Sequence, residues 1–97
     1  MCLCGMLAAD YQTLPGPMRE AILHFFDDNQ AWLTSVLDQG RNDRTLAFDG
    51  TPDDAAQTIL SGLEGAMLVA RSYGDMARFQ AASSQLLVSV TAARQAQ

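Results

Sequence analysis

Few residues in this 97-residue chain have the types and spacing that chemistry requires. His24 and Asp28 stand one helical turn apart, the spacing of a His–carboxylate pair. Such an i, i+4 pair on a solvated helix face contributes only a few tenths of a kcal/mol, and His24 reads as a surface residue. Glu64 lies near the middle of an apolar stretch, but no histidine or second carboxylate faces it, so general acid–base catalysis lacks a partner. Cys2 and Cys4 are two residues apart. On a helix that spacing points them about 200° apart, too divergent to bridge or to chelate one metal. With a single histidine in the chain, no zinc set can be completed. The cysteines read as small reduced hydrophobes. No P-loop, GxGxxG or GxSxG occurs. The chain is expected to be no enzyme and to carry no metal and no cofactor. Asn29 leaves two readings open. It falls between Phe26 and Leu33, inside an apolar stripe. It is either a core amide satisfied by a nearby backbone group or a polar group that orients a ligand in an apolar pocket.

The elements that would position these residues are all helices. Residues 2–12 have helical periodicity but no N-cap, and Met1 is either a start or an internal methionine. Thr13–Pro17, with two prolines and a glycine, breaks the chain. A long helix follows from about Pro17 to Asn42, with Met18, Ile22, Phe25, Phe26, Leu33, Val36 and Leu37 on its apolar face. Residues 41–50 form a connection pinned by Leu46 and Phe48, and Asp49-Gly50 is a turn signal.

The best-marked helix spans Thr51 to Gly74. Thr51 suits the N-cap, Pro52 the first turn, Asp53 and Asp54 the positive end of the dipole, and Gly74 a left-handed stop. Its core stripe is Ala56, Ile59, Leu60, Leu63, Ala66, Met67 and Ala70. The opposite face carries Ser61, Gly65, Leu68 and Ser72, with Gly62 and Val69 beside them, where a solvated helix would carry Lys, Glu and Arg. A last helix is expected from Met76, capped by Asp75, to about Arg94. Its core stripe is Met76, Phe79, Ser83, Leu86, Leu87, Val90 and Ala93. Its back, with Ala81, Ser84, Gln85, Val88 and Ala92, is again small and uncharged. The two faces predict one shared surface. Paired with a second copy, that surface makes an intermolecular four-helix bundle. The expected architecture is all-α, about four helices in an antiparallel bundle.

Composition agrees with a covered surface. Hydrophobic residues make up 48% of the chain and charged ones only 18%, little charge for the exterior of a small monomer. The net charge is −5, and all six basic residues are arginine. That makes this chain by itself a poor nucleic-acid binder. No apolar run reaches the roughly 18 residues of a membrane span, and MCLCGMLAAD lacks the basic start of a signal peptide. A cytoplasmic location is expected.

The stretches CLCGMLAADYQTLPGPMREAILHFFDDNQAWL and LEGAMLVARSYGDMARF resemble the C-terminal regulatory domain of TetR/AcrR-type transcriptional repressors, over essentially the whole chain. The resemblance implies that residues 1–97 are an effector-binding and dimerisation domain. The helix-turn-helix half that binds DNA and the first helices closing the pocket are absent from this sequence. It implies a fragment, or a gene product that has lost its reader. It implies a homodimer through the last two helices, with Ser61, Gly65, Leu68, Ser72, Ala81, Ser84, Val88 and Ala92 at the interface. It also implies a small apolar effector among the central helices, with Cys4, Met6, Phe26, Asn29 and Leu33 as pocket candidates. A stand-alone helical interaction module, binding a partner protein through the same small-residue surface, is the alternative.

Overall fold

The computed structural model describes residues 3–91. It is all-α, as the periodicity predicts. Helix α1 spans Leu3–Ala9, and a short 3-10 turn follows at Tyr11–Thr13. Then come α2 (Gly16–Asn42), α3 (Pro52–Tyr73) and α4 (Met76–Val88).

Helix α3 begins and ends where its local chemistry dictates. The Thr51 side chain accepts from the Asp54 N–H at 3.1 Å, satisfying one donor of the open first turn. Gly74 closes the other end in the left-handed region, at φ 62°, and the Asp75 N–H donates to the Ala70 carbonyl at 3.0 Å. Asp75 then caps α4 by accepting from the Ala77 N–H at 3.0 Å. The tight turn folds α4 back along α3. Gly62 and Leu86, similarly placed on either side of it, meet: a Cβ on Gly62 would lie 2.9 Å from Leu86 Cδ1. A side chain at position 62 would require the end of the Leu86 side chain to shift.

Helix α3 also packs against α2, so it lies between α2 and α4. At its start Asp53 Oδ1 accepts from Gln30 Nε2 at 3.1 Å and from the Thr34 hydroxyl at 3.3 Å. The α2–α3 connection is fastened as Leu46 and Phe48 predict. Both pack on a core cluster of Leu37, Ala56 and Val90. Gly40 is buried because Leu46 sits where its side chain would be; a Cβ there would come within 2.6 Å of Leu46 Cγ. Arg41 holds the connection from outside. Its Nη2 donates to the carbonyls of Phe48 (2.8 Å) and Gly50 (2.6 Å), and its guanidinium lies 3.8 Å from the centre of the Phe48 ring.

One expectation about the elements needs correction. The last helix does not run to Arg94; it ends at Val88. Val90 turns into the core, its carbonyl accepts from the Ala47 N–H at 3.0 Å, and Thr91 bridges to Leu46. Backbone pairing with the α2–α3 connection thus wins over the apolar periodicity that continues through these residues.

The fold is thin. Its extents are 46 × 30 × 15 Å, and a helix with its side chains is about 10–12 Å across. The radius of gyration is 15.1 Å, against about 13 Å for a compact chain of this length. Only Ile22, Leu37, Ala56, Ala70 and Val90 are buried hydrophobics among the described residues.

Candidate functional site

Among the concave surfaces of this slab, two bear on the residues read from the sequence. The first is an apolar trough over α3. Ile59 and Leu63 of α3 form its floor. Leu33, Val36 and Leu37 of α2 make one wall, and Ser83, Ser84, Leu86 and Leu87 of α4 the other, with Leu46 and Val90 completing it. Its volume is about 480 Å³, within the range of ordinary small-molecule sites. Nine of the eleven lining residues are aliphatic, two are serines and none is charged. At the rim Val36 is 38% exposed and Leu87 68%.

The second surface is a groove between α3 and α4, lined by Gly62, Gly65, Ala66, Val69, Arg78, Ala81, Ala82 and Gln85. A Cβ at Gly65 would meet nothing within 4 Å. Leu68 and Val69 are each 47% exposed on this side of α3. Arg78 supplies the charge, held over the Tyr73 ring at 3.6 Å and 3.9 Å from Asp75.

The pocket candidates read from the sequence are not gathered at the trough. Leu33 lines it, whereas Cys4, Met6, Phe26 and Asn29 do not. Cys4 is half-buried and Met6 exposed on α1, which packs on α2. Phe26 is half-buried and stacks edge-on with Phe25, ring centres 5.5 Å apart. Asn29 Nδ2 donates to the Phe25 carbonyl at 2.7 Å, so its amide serves its own helix. Glu64 has one carboxylate oxygen, Oε2, that is buried without a hydrogen-bond partner.

The interface candidates divide. Gly65 and Ala81 line the groove. Ser61, Leu68 and Ser72 are exposed on α3, and the Ser72 hydroxyl donates back to the Leu68 carbonyl at 2.9 Å. Val88 is half-buried, and Ser84 lines the trough instead of the groove. Ala92 lies outside the described residues. Sequence reasoning missed Ser83, Leu86 and Leu87 as cavity residues because their periodicity is that of any core stripe. The available signal was Ser83 itself, a hydroxyl inside an apolar stripe.

Residues 1–86 match the family described as tetracyclin repressor-like, C-terminal domain. Among solved structures the chain is similar to a TetR-family transcriptional regulator from Agrobacterium tumefaciens. The two share 33% identity with a TM-score of 0.90, over 94% of this chain and 48% of that one. It is also similar to the reduced form of NemR from E. coli, with 27% identity and a TM-score of 0.87, over 93% of this chain and 48% of that one. The chain therefore spans about half the length of both relatives. No curated protein matches it.

Proposed function

Because this chain belongs to the tetracyclin repressor-like C-terminal domain family of TetR-type regulators, we propose that it is the ligand-sensing and homodimerising portion of a cytoplasmic transcriptional repressor. Two copies pair through the outer faces of α3 and α4, and a small apolar effector enters the trough. Operator DNA is read by a helix-turn-helix half outside residues 1–97; a chain of net charge −5 does not hold DNA itself.

The observation that carries this reading is the uncovered α3–α4 groove. Gly65 and Ala81 leave room for a partner helix to approach closely, and Leu68 and Val69 stand ready to be covered. Effector binding and DNA affinity in such a regulator would be linked by a coupling free energy, typically 1–3 kcal/mol.

Sedimentation of the chain across a dilution series tests the pairing. The expected result is a dimer mass at micromolar concentration. A clean monomer would remove the homodimer and favour a helical module that covers the groove with a different protein.

A further inference from the structure

The lining of the trough narrows what it can hold, an inference that rests on the ligand-sensing reading above. We propose that the ligand is an uncharged, largely apolar molecule carrying a hydroxyl group, an alcohol or a phenol, seated with that hydroxyl against Ser83 and Ser84. Charge is the first argument. None of the lining residues is charged, so a carboxylate or ammonium entering the trough would lose water and meet no counter-charge. The second is hydrogen-bond direction. Ser83 Oγ donates its one proton to the Gln80 carbonyl at 3.2 Å, and it therefore meets a ligand as an acceptor. Ser84, exposed at the rim, has both a proton and lone pairs to offer. An ether, ester or ketone only accepts and leaves Ser83 unanswered. A hydroxyl answers both serines, donating to Ser83 and accepting from Ser84. The third argument is the wall. Aliphatic side chains from α2, α3 and α4 surround the rest of the volume and fit a hydrocarbon body.

Calorimetric titration of the chain with octan-1-ol, methyl octyl ether, octanoate and octylammonium, all below micelle formation, tests this. Octanol should bind best. The ether should bind about three- to tenfold more weakly, the worth of one neutral hydrogen bond, and the two ions at least about tenfold more weakly, since a buried unpaired charge is disfavoured more than a lost hydrogen bond. Ser83→Ala should level octanol with the ether. Ile59→Trp, which fills the floor, should abolish binding; Val36→Trp at the exposed rim serves the same purpose should the floor variant not fold. Octanoate binding as well as octanol, or an alcohol preference that survives Ser83→Ala, would overturn the hydroxyl assignment. The ligand-sensing reading would then still stand, provided that the Trp variants abolish binding. If no probe binds a chain that melts cooperatively, the trough is not a ligand site of this chain and the hydroxyl assignment falls.

Discussion

Asn29 and Ser83 are both polar residues in apolar stripes, and they end in different places. Both donate to a carbonyl about one turn back, Asn29 to Phe25 and Ser83 to Gln80, but only Ser83 lines the trough. Sequence identifies each as out of place on its stripe. It does not say which way the side chain turns, because a rotamer and the distance to a neighbouring helix decide that. Asp43 is plainer. Its Oδ1 accepts from the Thr45 hydroxyl at 2.6 Å and the Thr45 N–H at 3.0 Å. The hydroxyl first, and the N–H second, hold its carboxyl below the ordinary value of 3.8. A carboxyl depressed in the folded state contributes stability above its unfolded pKa. That contribution is lost as pH falls from about 3.8 through the folded value. Thr45→Val should move the Asp43 midpoint upward in an NMR titration of the side-chain carboxyl. An unchanged midpoint would mean that the Thr45 hydroxyl is not the cause.

Elements are legible where their ends are local. The start of α3 at Thr51-Pro52-Asp53-Asp54 and its stop at Gly74 are written in adjacent residues, and both hold in the structure. The end of α4 is not local. Val90 and Thr91 leave the helix because Leu46 and Ala47 are there to receive them, and nothing beside them in the chain announces it. Gly62 and Gly65 make the same point. On the sequence both belong to one small-residue face, yet Gly62 lies against Leu86 and Gly65 faces open space. Gly62→Ala should force the end of Leu86 to shift and so lose the roughly 1 kcal/mol that alanine otherwise gains over glycine inside a helix, whereas Gly65→Leu, free of neighbours at Cβ, should not lower the monomer's melting and should weaken self-association. Sedimentation and thermal melting of both variants separate the two effects. If Gly65→Leu still associates like the parent chain, the interface lies elsewhere. In the α2–α3 connection, Arg41→Ala removes two charged hydrogen bonds and a ring contact, and should destabilise by about 2 kcal/mol. A lower urea midpoint at unchanged slope is the expected reading.

At the scale of the molecule, a slab 15 Å thick leaves large apolar side chains uncovered among the described residues, Trp32 at 66% exposure and Leu87 at 68% among them. A charged fraction of 18% leads one to expect uncovered apolar surface, but Trp32 and Leu87 lie outside the small-residue faces read from the sequence. The trough was not legible, because it depends on where three helices lie relative to one another. If a second copy covers the α3–α4 groove, the melting temperature should rise with protein concentration, since association draws on the folded state alone. A melting temperature independent of concentration, from micromolar to hundreds of micromolar, would deny it. The tie between Ala47 and Val90 also bears on the order in which the chain assembles. The contacts of α2 with α3, and of α3 with α4, join neighbours along the chain, whereas this hydrogen bond closes a long loop around α3 and α4. Long loops carry the larger closure entropy, so this bond should form last and open first. In hydrogen exchange the Ala47 amide should give up its proton sooner than amides in the middle of α3, so that the chain loosens at its clasp before its helices melt.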